Sequence, residues 1–420
     1  MNYEKPILIG LIIILAGLYI QNNIVSVYPN LHGNDFAHLY LGSYLATQHK
    51  SFYSPELLFP TAQALGIQHL NPFVYPPIVA LFFIPLSLFS YPDAQLVWFI
   101  CNHLFLILSF LFIILSFNSK NKLGYIAVSL LISFSFAPLY RTLTAGQLNL
   151  FILFLISLAW YLYTKKKPVG AGVILAIATL TKLFPGLLIL FFLWKKEYRV
   201  AISAIAAIII LVLLSLMIQG VSIYQDYGPL LIQMSYGQST WSQFQQRFDV
   251  EPANQSFHAL VLRLFSSNPV TSPIIDVPGL AKIVSALFSI VIIIISFWVT
   301  YPKKNQKISL HTMQTDFSLL LITALLISSL LWDHYLVYFF LILLCLFDFW
   351  LKSDKISLKS ITYISILYLI MAIQFNFWSD LFRSDIGILL MSFKFYPVIL
   401  IWIYLVLLIH SNKSSTPIVE

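Results

Sequence analysis

Apolar runs fill this chain almost from end to end, at 6–28, 76–117, 123–140, 147–163, 169–194, 199–218, 280–300, 315–331, 334–350, 358–375 and 392–410. Runs of this length are apolar on every face, so folding in water would leave part of their surface wet. A bilayer removes that cost, at about 20 residues per helical crossing. Only 10% of the residues are charged against 59% apolar, whereas a soluble domain carries about a quarter charged. A soluble globular enzyme is excluded, and so is a disordered chain, which lacks apolar content of this kind. The expectation is an all-α polytopic membrane protein, a single transmembrane domain over residues 1–420 with about 11–13 transmembrane helices.

The net charge of +8 does not indicate a nucleic-acid partner. The basic residues cluster between the apolar runs, as cytoplasmic anchoring requires: Lys120 and Lys122, Lys165–Lys167, Lys195 with Lys196 and Arg199, Lys303 with Lys304 and Lys307, and Lys352 with Lys355 and Lys359. These clusters share one side with Lys5 and Lys413, both termini then being cytoplasmic, under two conditions. The run 76–117 must cross a net once (or three times), and 169–194 must be a hairpin of short helices turning near Lys182–Pro185. The segment Ile7–Ile20 has no small-residue cleavage site and reads as an uncleaved first crossing. Cys101 and Cys345 both lie in apolar runs and offer neither a disulfide nor a zinc framework.

Two polar stretches, 29–75 and 219–279, are too long for tight connections, and loops of such length usually carry function. This threading places both outside. The outer face then also receives Arg141, Gln147, Asn149, the Lys182 turn and Asp333–His334, so the chemistry is expected there. The closing helices, 346–420, add no recognisable pattern. No internal repeat of broken helices is evident, which disfavours a transporter.

Within His32-Gly33-Asn34-Asp35-Phe36-Ala37-His38, Asn34 suits an N-cap. Asp35 would then occupy the first turn of an amphipathic helix running to about His49, where the helix dipole favours an ionised carboxylate. Such a group is either a capping acid or a general base toward a hydroxyl. His38, one turn on, either assists or is an interfacial histidine. Lys182 lies within an apolar run and costs about 2.5–3.5 kcal/mol at mid-bilayer. At an outward tip it would instead meet an anionic headgroup. Arg141 offers a planar fork to phosphate, and Asp333–His334 is either a phosphate donor through His334 or a plain polar turn. Gln147, Asn149, Asn254, Gln255 and Ser256 suit sugar hydroxyls, as does Tyr75, although each also has an ordinary structural account. Tyr224, Tyr227, Tyr236, Trp241 and Phe244 form a belt or stack on sugars and prenyl chains. There is no phosphate-binding glycine loop, dinucleotide turn or zinc helix, so nucleotide chemistry is unsupported and an activated sugar would arrive on another carrier.

Five stretches together resemble the membrane glycosyltransferases of family 87, in the GT-C superfamily: Asn34-Asp35-Phe36, Tyr75-Pro76-Pro77, Gly146-Gln147-Leu148-Asn149, Ala171-Gly172 through Lys182-Leu183-Phe184-Pro185 to Trp194-Lys195-Lys196, and Asn254-Gln255-Ser256. Trp332-Asp333-His334-Tyr335 is a weaker sixth. The resemblance implies a polyprenyl-phosphate sugar donor, mannose in most members and arabinofuranose in others. It also implies a lipid or glycan acceptor and inverting, metal-independent transfer on the non-cytoplasmic face of the cell membrane. On that reading Asp35 is the general base. Lys182, His334 and Arg141 contact the donor phosphate, and Gln147, Asn149, Asn254, Gln255, Ser256, Tyr75 and Asp333 contact the sugar or acceptor. The alternatives are a lipid-linked glycan flippase, which needs alternating access, and a lipid-glycan polymerase or ligase, in which the late loop carries the chemistry. The oligomeric state is not encoded in any motif.

Overall fold

The computed structural model describes residues 4–68, 70–117, 119–234, 247–302, 309–353, 357–376 and 378–414. Tyr236, Trp241, Phe244, Lys303, Lys304, Lys307, Lys355 and the side chain of Lys413 fall outside the described residues. In chain order the helices begin with α1 (Glu4–Ile20), α2 (Asn34–Thr47), α3 (Pro55–Ala64), α4 (Ile78–Ser87), α5 (Tyr91–Ser116), α6 (Lys122–Ser133) and α7 (Ala137–Ala145). They continue with α8 (Asn149–Thr164), α9 (Pro168–Thr181), α10 (Gly186–Trp194), α11 (Tyr198–Gln219) and α12 (Ser222–Gln233). The last are α13 (Phe257–Phe265), α14 (Pro278–Val299), α15 (Leu310–Leu326), α16 (Phe339–Lys352), α17 (Leu358–Ala372), α18 (Asp385–Met391) and α19 (Phe395–Ser414).

Among the described residues, five helical segments are long and apolar enough to cross a membrane, Lys5–Asn30, Tyr91–Ser116, Tyr198–Gln219, Pro278–Val299 and Asp333–Lys352. Counting each of two bent pairs as one span raises this to seven, and five further apolar helices are shorter, at 10–17 residues. The protein is a polytopic all-α membrane protein. The exposed apolar side chains of α11, Met217 at 82% among them, are the surface that lipid would cover.

Helix starts are written in the sequence. Proline occupies the first turn of α3, α5, α7, α9 and α14, where its missing N–H costs nothing. Serine caps α5, α13, α15 and α17 through side-chain acceptance of a backbone N–H. The run 76–117 resolves into the short α4 and the long α5. The run 169–194 breaks between Thr181 and Gly186, at the expected Lys182–Pro185 segment. Lys122–Ser133 and Ala137–Ala145 are bent by 73°, with Phe136 extended ahead of the first-turn Pro138.

The chain falls into two compact units. The first comprises 1–186, 198–231 and 337–344. In it α9 packs on α8 and α11, α5 on α8, α1 on α6, and α2 on α4. Gly172 permits the α9–α11 approach, since a Cβ there would meet Ser203 Oγ and the Val200 carbonyl, and Ala201 and Ala204 supply the other small faces. The second unit comprises 187–197, 232–336 and 345–420, with α13 on α14 and α18, and α19 on α14, α15 and α17.

Two sequence expectations are corrected. Lys195 is not a solvated cytoplasmic anchor. Its side chain is 2% exposed and pairs at 2.5 Å with Asp316, which is fully buried, both within the second unit. A lysine ending an apolar run is ordinarily an anchor, and nothing local reveals a carboxylate 121 residues away. Nor is α2 an amphipathic interfacial helix. Phe36 through Ser43 are all buried, because α4 packs along the helix with α3, α5 and α7 around it, and Phe73 closes over Gly42, where a Cβ would lie 2.5 Å from the ring.

Candidate active site

The first unit gathers Asp35, His38, Asn71, Tyr75, Asn149, Lys182 and Tyr338. The cap of α2 is Gly33, at φ +57°, not Asn34, because the chain enters the helix through a left-handed turn that glycine adopts without strain. Asp35 keeps the expected first-turn position. The Thr144 carbonyl accepts from both His32 and Gly33 N–H, at 3.1 and 3.0 Å. Tyr91 Oη donates to the Gly33 carbonyl at 3.1 Å. Gly146, at φ +69°, ends α7 where a Cβ would sit 2.6 Å from Phe36 Cβ, and Trp98 Nε1 donates to its carbonyl at 2.8 Å. The start of α2 is thereby keyed against the α7–α8 turn.

Half-buried Asp35 accepts a hydrogen bond from Asn71 Nδ2 at 2.7 Å on Oδ1. Lys182 follows the last residue of α9 with extended backbone, φ −152° and ψ 132°. Its ammonium donates to Asn149 Oδ1 at 2.9 Å, and Tyr338 Oη donates to the same oxygen at 3.2 Å. Burial pushes the Lys182 amine well below the usual lysine range, the Asp35 carboxylate opposes that shift, and both groups act electrostatically on His38. His38 is 3% exposed. Burial pushes its pKa down to about 4, a shift that Asp35 opposes and Lys182 reinforces. The imidazole is therefore neutral at pH 7. Its ring lies 5.4 Å from that of buried Tyr75, whose carbonyl accepts from Tyr53 Oη at 2.5 Å.

The remaining expected residues divide. Gln147 is buried on the α7–α8 turn, its Oε1 without a hydrogen bond among the described residues, and Arg141 is half-buried on α7. Asn149, expected to meet sugar hydroxyls, accepts a hydrogen bond from Lys182. In the second unit Asn254, Gln255 and Ser256 are fully buried and occupied with backbone. Asn254 Nδ2 donates to the Asp249 and Ser329 carbonyls, both at 3.2 Å. Gln255 Nε2 donates to the Pro252 and Met391 carbonyls at 2.7 and 2.9 Å, and Ser256 caps α13. All three hold backbone of the second unit in this way. Asp333 and His334 are buried in a short helical turn, with Asp333 Oδ2 3.6 Å from Lys394 Nζ and Asp333 Oδ1 3.9 Å from His334 Nδ1.

Asn71, Tyr338 and Lys394 were missed from sequence. Lys394 carried the same signal as Lys182, a lysine set among apolar residues, in Phe393-Lys394-Phe395. Asn71 and Tyr338 carried none beyond residue type. Chemically, the first-unit cluster joins a carboxylate with one oxygen engaged, a positioned ammonium and a neutral imidazole. It can accept a proton from a hydroxyl and hold an anion nearby.

No curated protein and no solved structure matches the chain. The model of glycosyltransferase family 87 matches residues 73–329, a stretch that contains Lys182, Asn149 and Gln147. Since the match spans more than half of the chain, the protein belongs to glycosyltransferase family 87 and is a membrane glycosyltransferase.

Proposed function

We propose that the enzyme transfers a sugar, mannose, with inversion from a polyprenyl-phosphate donor to a hydroxyl of a lipid or glycan acceptor. The reaction takes place on the non-cytoplasmic face of the cell membrane, with both termini cytoplasmic. The observation that carries this reading is that Asp35, held by Asn71, and Lys182, held by Asn149 and Tyr338, belong to one compact unit and lie within electrostatic reach of one another. In the reaction the acceptor oxygen attacks the anomeric carbon as the bond to the phosphate oxygen breaks. Asp35 takes the hydroxyl proton, and the phosphate leaves with the bonding electron pair. Base assistance contributes about 10²–10⁴-fold. Lys182 and Arg141 meet the leaving phosphate, where charge grows in the transition state and a placed cation acts most strongly. Gln147 and Tyr75 serve the sugar or acceptor. His334 and Asp333, with Lys394, are retained as an anion-and-sugar contact set of the second unit.

The test is transfer of radiolabelled mannose from polyprenyl phosphate in membranes carrying the wild type or Asp35→Asn. The variant is expected to lose at least about 100-fold at unchanged abundance. Wild-type transfer by Asp35→Asn would refute the catalytic assignment.

A further inference from the structure

His38 is unexplained by the reaction as written. It lies three residues after Asp35 on α2, a spacing that puts two side chains on the same helix face one turn apart. Its ring is fixed from the side by Tyr75 at 5.4 Å, tilted by 33°, and by Phe73 edge-on at 6.4 Å. Both ring nitrogens are buried, and neither makes a hydrogen bond among the described residues. A histidine used only to fill that aromatic wall would be inferior to phenylalanine, which has no polar atoms to desolvate. The neutral ring carries one donor and one acceptor. That pair matches a hydroxyl, which both donates and accepts, better than a phosphate, which at neutral pH mainly accepts.

Position narrows the ligand further. The ring is within electrostatic reach of both Asp35 and Lys182. In an in-line displacement the transferred sugar lies between the base and the group holding the leaving phosphate. We propose that His38 hydrogen-bonds a hydroxyl of the sugar being transferred, so that it helps determine which sugar the enzyme accepts from the lipid carrier. This inference rests on the transferase reading above, with Asp35 as base and Lys182 toward the phosphate.

The experiment measures equilibrium binding of purified full-length protein in nanodiscs to bare polyprenyl phosphate and to the same lipid carrying mannose, glucose or arabinofuranose. The wild type should prefer one sugar-bearing lipid over the bare one by about tenfold, the worth of one good hydrogen bond. His38→Phe and His38→Met should erase that preference without changing affinity for the bare lipid. His38→Gln, which both donates and accepts, should restore part of it, so the contrast of Met with Gln decides the matter even if phenylalanine does not fit. Equal loss on bare and sugar-bearing lipids, an unchanged preference in the Met variant, or no preference in the wild type would overturn the proposal. Failure of the underlying reading looks different: the wild type binds none of the four lipids, or Asp35→Asn transfers sugar at the wild-type rate.

Discussion

Removing the Asn71 side chain tests whether Asp35 works as an oriented base. Asn71 Nδ2 lies 2.7 Å from Asp35 Oδ1, a length typical of a hydrogen bond to an ionised acceptor. Such bonds contribute about 1.5–3 kcal/mol net. In Asn71→Ala the carboxylate loses the donor that fixes one oxygen and thus the direction of the other. If all of that free energy serves orientation in the transition state, kcat should fall about 10- to 150-fold. Asn71 has no role toward the donor phosphate in this arrangement, so KM for the donor should be unchanged. The assay is steady-state transfer of labelled sugar by protein in nanodiscs, with donor varied at saturating acceptor. A variant with wild-type kcat, or one whose loss appears wholly in donor KM, would refute the orienting role of Asn71.

Two further predictions concern stability. Asp316→Asn leaves the Lys195 ammonium buried without its carboxylate and should cost about 3–5 kcal/mol. Lys195→Met with Asp316→Leu should be near neutral or stabilising; thermal unfolding in detergent reads both, and a double variant as unstable as the single one contradicts the account. Burial also pushes His38 and His258 down to about 4, below the ordinary value of about 6.5. The unfolded chain therefore binds more protons between those values, and stability rises with pH across the window and is lost as pH falls through it. By pH 5 each histidine should cost about 2 kcal/mol. The midpoint of thermal unfolding should drop between pH 7 and pH 5, less so in His38→Phe, and a rise on acidification would contradict the burial of these rings.

The parts of this molecule legible in the sequence are those where a local feature carries its own energetic cost. Apolar runs of membrane length have one inexpensive solution, so the helical membrane architecture follows directly. Lys182 stood out because an ammonium in an apolar run is costly, and the helix does break there. Asp35 stood out as a first-turn acid in a long polar stretch. What stayed hidden depends on pairing across distance. The Asn71–Asp35 bond joins residues 36 apart, and the Tyr338–Asn149 bond joins residues 189 apart. Lys195 shows the opposite failure, where a strong local prior for anchoring was overridden by Asp316. Asn254, Gln255 and Ser256 suit sugar hydroxyls by residue type, yet the same donors and acceptors also satisfy buried backbone, and residue type alone does not reveal the backbone bonds they make here.

The family match begins at residue 73 and so includes neither Asp35 nor Asn71. Membership and the assignment of the base are therefore separate conclusions, and what joins them is packing. The α7–α8 turn, inside the matched region, takes two backbone N–H groups from His32 and Gly33 on the Thr144 carbonyl. Phe36 passes so close to Gly146 that no side chain fits between them. Phe36 also stacks on Trp98 at 6.2 Å, and the Trp98 indole N–H is tied to the Gly146 carbonyl. Sliding α2 by one residue would break both N–H bonds to Thr144 and drive a different side chain against Gly146. The register of the helix start that carries Asp35 is thus imposed by the matched region itself. A substitution at Gly146 would press on Phe36 and so disturb the start of α2, next to Asp35.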